Sequence, residues 1–358
     1  MAAREYYQEL ARSALLELVD RELAVVTPAE VEAKLADQRP DWLNAPSNIS
    51  GINPHHLGWA RNHLLRTGKL RQVTHRSRGE RDVNLLVPAD QHLRYTAIRE
   101  TKARKAKLHA RYLGWGSGTQ NTPGILGVDG ESIVHQALLQ ASINGCVPLN
   151  PNSGQTRMIA GASVRGGALD NAAWLYTTEP QGNRRTGTYV VPIEVKNVRH
   201  WLYSGDYEVH QLLFKAAWLQ HDLPDEDIVP VLVCRQANHV TMTLARALGF
   251  QVVNTKRQAI RASLDGPKLA EVVTELGYNL QPLSAPDPAL VRHFAKVLPG
   301  EAAARAERWR NLGSTLTDLY DALRNKELHF LERDDLRAQL ADAAGITDHT
   351  IPDGPEDY

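Results

Sequence analysis

Cysteine is scarce in this chain of 358 residues, with only Cys146 and Cys234 present. Two such residues provide neither a disulfide framework nor a zinc-ligand spacing, and a reducing cytoplasm is the expected compartment. The opening residues MAAREYYQEL carry no apolar signal region. No apolar run approaches the roughly 20 residues that a membrane span needs, so no membrane partner is expected. Net charge is also missing, because 41 Lys and Arg offset 41 Asp and Glu. Gly114, Gly116 and Gly118 lie in the run GWGSGTQNTPGILGVDG (114–130). No Gly-Lys-Ser/Thr follows them, so the run reads as a connector and not as a phosphate loop. What is present is ordinary globular composition, 42% hydrophobic and 23% charged, enough for two or three domains with buried cores.

The charge is unevenly distributed. Residues 53–81 hold seven Lys/Arg against one Glu, residues 94–112 again hold seven against one, and residues 318–358 hold four against eleven Asp/Glu. Two basic blocks are therefore balanced by an acidic tail that ends in IPDGPEDY. Around the first basic block the elements are readable. Residues 5–20 place Tyr6, Leu10, Ala14, Leu15 and Leu18 on one helical face. Thr27-Pro28-Ala29-Glu30 opens a second helix with a capping-box spacing and Pro at the first helical position. A third helix opens at Asn53-Pro54 and ends before Gly68, and two short strand-like runs follow, 69–74 and 82–87.

Three helices and a basic hairpin over residues 1–93 resemble a winged helix-turn-helix. The resemblance implies that the third helix enters the major groove, with His55, His56, Arg61, Asn62, His63 and Arg66 as its exposed candidates. It also implies that the wing offers Arg76, Arg78 and Arg81 to phosphates. The bland alternatives are a small helical domain with a solvated charged face, or a wing that docks protein.

After a basic helical segment and the Gly-rich connector (94–124), a different pattern begins. A helix starts near Glu131, residues 156–164 form a plausible strand, and 166–176 read as a strand passing Asp170. A strand over 188–197 then carries Glu194-Val195-Lys196, followed by a helix over 207–221 with Gln211. A buried strand 228–233, a helix 240–248 and a strand 250–254 complete the unit. The tripeptide pattern Glu-x-Lys is weak alone, since Glu32-Ala-Lys34 and Glu100-Thr-Lys102 also match it in charged helical segments. Only Glu194-Val195-Lys196 ends a strongly apolar strand. Its period of two places Glu194 and Lys196 on one face and turns Val195 into the core.

In this order of elements, with Glu131 on the first helix, Asp170 on a strand and Glu194-Val195-Lys196 on the next, residues 125–262 resemble the PD-(D/E)xK nuclease superfamily. Leu169 stands where the family's proline precedes the aspartate. The fold class expected is α/β: a restriction-endonuclease-like mixed-sheet core with an N-terminal winged helix-turn-helix domain and a helical C-terminal region. The resemblance implies a Mg²⁺-dependent endonuclease acting on duplex DNA, with Mn²⁺ able to substitute, in a task such as defence against foreign DNA. Asp170 and Glu194 would supply hard oxygen ligands, with the Val195 carbonyl and Glu131 completing the set. Lys196 would orient or help deprotonate the attacking water, and Gln211 would support it. The alternatives are a nuclease of the same fold acting on RNA or branched DNA, and a winged-helix regulator that binds without cutting.

Other residues read more simply. His135 shares the helix face of Glu131 and is expected to be a partly buried structural histidine. Asn197 reads as a strand terminator, and His200 and His210 lack partners at a metal-binding spacing. Residues 263–358 read as one helical region. Its stripe Trp309, Leu312, Leu316, Leu319, Tyr320 and Leu323 suits internal packing or a homodimer.

Overall fold

The computed structural model describes residues 3–76, 82–90, 95–117, 124–178, 185–264 and 266–346. Arg78 and Arg81 of the expected wing lie outside these residues, as do part of the Gly-rich connector and the acidic end. The chain is mixed α/β and divides into two units, one of residues 1–125 and 263–280, the other of residues 126–262 and 281–351. No helix among the described residues is long and apolar enough to cross a membrane.

The first unit begins with α1 (Ala3–Arg21), α2 (Pro28–Leu35) and α3 (Pro54–Arg66). The strands β1 (Leu70–Arg76) and β2 (Asp82–Pro88) pair antiparallel. Val26, just ahead of α2, adds an antiparallel bridge to Leu86. The capping box forms as its spacing dictates: Glu30 N–H donates to Thr27 Oγ1 at 3.0 Å and Thr27 N–H to Glu30 Oε2 at 3.2 Å. A basic helix, α4 (Tyr95–Gly116), packs Ile98 and Ala106 against Val83, Leu85 and Val87 of β2.

The basic helix expected within 94–124 is α4, and it buries Lys105, whose Nζ meets Glu30 Oε1 at 2.5 Å and Glu22 Oε2 at 2.9 Å. One sequence expectation changes here: the 263–358 region is not one body. Its first part, including a helix over Gly266–Leu276, belongs to the N-terminal unit. That helix buries Leu269, Val272 and Leu276, and the following Tyr278 places its hydroxyl 2.6 Å from His109 Nδ1 on α4. Helical periodicity reveals an apolar face but does not identify the core that receives it.

The second unit is built on a mixed sheet. After α5 (Ile125–Ala141) come β3 (Cys146–Pro148), a small separate hairpin of β4 (Met158–Ile159) and β5 (Ala162–Ser163), then β6 (Asn171–Thr178) and β7 (Arg185–Lys196). Next are α6 (Tyr207–Asp222), β8 (Asp227–Ile228), β9 (Val231–Cys234), α7 (His239–Leu248) and β10 (Gln251–Asn254). The sheet order is β10-β9-β7-β6-β3, with β8 also beside β7. β6 runs antiparallel to both β3 and β7, and β7, β9 and β10 run parallel. The edge strand beside β6 is therefore Cys146–Pro148, not the 156–164 segment, which forms a separate small hairpin.

Both faces of the sheet are covered, as parallel strands joined by helical crossovers require. Val190 and Leu232 join one core with Leu212, Leu213 and Ala216 of α6 and Leu244 of α7. Val191, Ile193, Val195, Val231 and Val233 join the other with Ile133, Val134 and Ala137 of α5. Alternation along β7 therefore turns Glu194 and Lys196 toward α6 and Val195 toward α5. The C-terminal stripe is internal: Trp309, Tyr320 and Leu323 are buried in the α6-side core, with Leu312, Leu316 and Leu319 packed against it.

Candidate active site

The antiparallel register Asn171↔Ile193 brings Asp170 level with Glu194. Asp170 is not on the strand, as the sequence suggests, but in the bend immediately before β6. The reason is local: Gly166 and Gly167 both adopt positive φ, +81° and +105°, so the chain is still turning as it approaches the sheet. The aspartate is then fixed from across the strand pair, with Val195 N–H donating to Asp170 Oδ2 at 2.7 Å.

Glu194 is fully buried and is held by two ammonium groups. Lys215 Nζ lies 2.5 Å from Oε1 and Lys196 Nζ lies 3.1 Å from Oε2. Lys196 also donates to Gln211 Oε1 at 2.9 Å, and Lys215 to the Ala168 carbonyl at 2.6 Å. Gln211 and Lys215 are one turn apart on α6, so a single helix face serves both partners of the β7 pair. Lys215 does not stand out in the sequence as a site residue. Its one signal is a lone charge inside the apolar run Leu212-Leu213-Phe214-Lys215-Ala216-Ala217.

Glu131 stands on α5 beside this group. Gln155 donates a side-chain hydrogen bond to it, and the charges of Lys196 and Glu194 both act on it. Burial raises its pKa, with Glu194 adding to the rise against the opposing pull of Gln155 and Lys196. Asp170 is pushed up to about 7, first by burial and then by the neighbouring Glu194 charge. Burial works against the Lys196 ammonium, but Glu194 and Asp170 more than reverse this and leave its pKa above the usual lysine value. The four sequence-derived residues Glu131, Asp170, Glu194 and Lys196 thus form one electrostatically coupled group, with Gln211 bonded to it.

Several supporting residues are legible in the sequence only as minor features. Asn171 is fully buried; its Nδ2 donates to the Glu131 carbonyl at 3.3 Å, and its Oδ1 lies 3.1 Å from His135 Nδ1. His135 Nε2 also lies 3.0 Å from the Pro151 carbonyl, a structural role. Asn197 does more than end β7. Its Nδ2 donates to the carbonyls of Leu126 and Ala259 at 2.6 and 2.7 Å, and its Oδ1 accepts from Ala259 N–H at 3.0 Å. Gly130 makes this approach possible, since a Cβ there would stand 2.5 Å from Asn197 Cβ. His210 is buried away from the carboxylates, 2.7 Å from the Ser204 carbonyl.

Asp170 and Glu194 are the residues that could hold a metal ion: they sit level, on the bend before β6 and on β7, and Mg²⁺ is commonly held by one or two carboxylates while keeping several waters. A cation would relieve the repulsion that Glu194 exerts on Asp170. Among the described residues, no group of three or more His, Cys, Asp or Glu is gathered closely enough to cage a metal ion.

In the first unit, the third-helix candidates divide. Arg66 is exposed, and Asn62 and His63 are partly so. Arg61 is instead buried, with its Nε donating to Asn62 Oδ1 at 3.2 Å, and it lines a small cavity with Val31, Leu57 and Leu86. His56 stacks on Tyr7 with ring centroids 5.5 Å apart. Burial, with the nearby His55 charge, lowers its pKa to about 4 and keeps it neutral. Arg61 therefore faces the packing side of α3, whereas His56 is partly exposed. His55 is partly exposed, and Arg76 at the end of β1 is exposed, as is Arg71 earlier on the strand.

No protein-family model matches the chain, and neither a curated protein nor a solved structure matches it.

Proposed function

We propose that the protein is a metal-dependent endonuclease hydrolysing DNA phosphodiester bonds, with its N-terminal unit engaging duplex DNA. The observation that carries this reading is the convergence of Asp170, Glu194 and Lys196 at the β6/β7 pair, with Asp170 Oδ2 2.7 Å from Val195 N and Lys196 Nζ 3.1 Å from Glu194 Oε2. The order α5, β3, β6, β7, α6, β9 and its sheet arrangement also agree with a PD-(D/E)xK core. For the N-terminal unit, the supporting features are three helices, a basic hairpin and a third strand position at Val26, as in a winged helix.

Asp170 and Glu194 would hold Mg²⁺, with Glu131 beside them and the Val195 carbonyl added by resemblance. Such an ion supplies a bound water of lowered pKa and polarises the phosphate. Lys196 presents an ammonium at the edge of the group, 15% exposed, where it orients the attacking water and offsets charge developing on the phosphate. Gln211 holds that ammonium in place, and Lys215 fixes the Glu194 carboxylate from the buried side.

One observation favours a second reading, in which the protein binds nucleic acid without cutting it. Both oxygens of Glu194 are already paired with lysines, an arrangement that also serves a purely structural ion cluster. Cleavage of plasmid duplex, single-stranded DNA, branched DNA and RNA, each with and without Mg²⁺, separates these readings. The nuclease reading expects Mg²⁺-dependent cleavage that disappears in Asp170→Asn and Lys196→Ala while duplex affinity persists. Binding of duplex with no cleavage of any substrate supports the second reading.

A further inference from the structure

The N-terminal unit contains a cleft of about 460 Å³ that no step proposed above uses. It falls in the size range of small-molecule sites, roughly 300–1,000 Å³. One wall is Trp42, with the Arg21 guanidinium carbon 5.0 Å from its ring centroid. The floor carries Lys34, whose Nζ is fixed by Glu22 Oε1 at 2.6 Å, Glu30 Oε1 at 2.9 Å and the Glu275 carbonyl at 2.9 Å. The rim presents two side-chain amides, Gln38 and Asn279, and the hydroxyl-bearing Thr274.

The segment that delivers Trp42 is itself unusual. Residues 36–53, between α2 and α3, contain no helix or strand. Irregular connections longer than roughly 12–15 residues are uncommon in compact domains and are most often functional. This one is held in shape by Arg39, which donates to the carbonyls of Ala45, Pro46 and Ile49 at 2.6, 2.7 and 3.0 Å. A braced loop therefore places an aromatic plane and a stacked guanidinium above a fixed charged floor.

We infer that this cleft receives a single nucleobase. A flat heteroaromatic ring stacks on Trp42 or on the Arg21 guanidinium plane, both of which are general base-stacking surfaces. Gln38 and Asn279 meet its edge, since side-chain amides match the donor–acceptor pairs of base edges. Arg21 provides the positive charge for the attached phosphate, since the Lys34 ammonium is already engaged by Glu22, Glu30 and the Glu275 carbonyl. The base comes either from DNA, extruded from the stack, or from a free nucleotide. The DNA source rests on the reading of this unit as the DNA-engaging part.

The test uses the full chain in chelator, so that cleavage does not intervene. The probes are the four deoxynucleoside monophosphates with the 5-methyl and 5-hydroxymethyl forms of dCMP, titrated individually by calorimetry. At least one monophosphate should bind, and Trp42→Ala should weaken it by about tenfold, the loss of one stacked base. Trp42→Phe should retain most of the affinity, and Asn279→Ala should change the ranking of bases. Should Trp42→Ala not fold, the rim variants Asn279→Ala and Thr274→Val supply the comparison. Displacement of the nucleotide by mixed-sequence DNA, with brightening of a 2-aminopurine placed in the duplex, assigns the pocket to an extruded base. Binding that DNA does not displace assigns it to a free nucleotide. No binding of any monophosphate at millimolar concentration, or equal binding by the Trp42 and Asn279 variants, overturns the inference. Monophosphate binding by a chain that does not bind duplex DNA removes DNA as the source and leaves the pocket standing.

Discussion

Lys215 Nζ lies 2.5 Å from Glu194 Oε1 and 2.6 Å from the Ala168 carbonyl, and its side chain is 2% exposed. One buried ammonium thus joins the α6 face to the carboxylate of β7 and to the turn that leads into Asp170. Removing one member of a buried pair leaves the other uncompensated, at a cost of about 3–5 kcal/mol. Because Lys196 still contacts Glu194, Lys215→Met is expected at the lower end, about 3 kcal/mol. Adding Glu194→Gln should recover most of that loss. Urea unfolding measures both, and equal loss in the single and double variants would contradict a charge-based cause.

Gln211 accepts from Lys196 at 2.9 Å and is partly exposed. Gln211→Ala should therefore change stability by no more than about 1 kcal/mol. On the nuclease reading, single-turnover cleavage should slow by about tenfold, because Lys196 loses the partner that positions it. Unchanged cleavage in this variant would reduce Gln211 to ordinary helix surface.

Buried His210 has its pKa lowered to about 4 from 6.5, chiefly by burial, although its bond to the Ser204 carbonyl pulls the other way. A depressed folded-state pKa means that the unfolded chain takes up the proton first. The stability contributed is complete above the unfolded value near 6.5 and is lost as pH falls toward 4. The full loss is on the order of 3 kcal/mol. Urea midpoints across this range should fall less steeply in His210→Phe than in the parent chain. His56 and His293, each also lowered to about 4, act in the same direction.

Two glycines of α5 should respond oppositely to alanine. At Gly130 a new Cβ would stand 2.5 Å from Asn197 Cβ, whereas at Gly127 nothing lies within 4 Å. Gly130→Ala should destabilise by about 1–3 kcal/mol through overpacking at the end of β7. Gly127→Ala should stabilise by about 0.5–1 kcal/mol through reduced backbone freedom in the unfolded chain. Thermal melts of the two variants provide the comparison.

Exposed Arg66 and Arg76 are the described candidates for phosphate binding in the N-terminal unit. Replacing either with Ala should flatten the slope of log affinity against log salt by about 0.9, across all duplex sequences alike. Arg61→Ala should instead lower stability, because Arg61 is buried. A salt titration of full-length variants separates these effects.

Most elements of the second unit are legible because the apolar period changes between 3.6 and 2 at each boundary, and the Glu194–Lys196 face follows from strand alternation. Three features are not legible, each for a physical reason. Cys146-Val147-Pro148 is too short for alternation to register, yet it forms the edge strand. Asp170 reads as a strand residue because Ala168 and Leu169 extend the apolar run backward, while Leu169 instead bridges Thr156 and pairing with β7 starts only at Asn171. Lys215 escapes a sequence reading because a charged side chain gives no sign of burial when its partner lies on another element. Glu194, 21 residues away from Lys215, is such a partner.

The Glu30 side chain has a further consequence for motion. One oxygen closes the first turn of α2 through Thr27, and the other meets Lys105 of α4 at 2.5 Å. Opening the start of α2 would take from buried Lys105 one of its two carboxylate partners, and detaching α4 would take from Glu30 one of its two ammonium partners. These two helices should therefore open as one cooperative unit. Their slowest-exchanging amide protons should report one common free energy in native-state hydrogen exchange. The irregular segment 36–53, outside this lock, is free to exchange from smaller local openings.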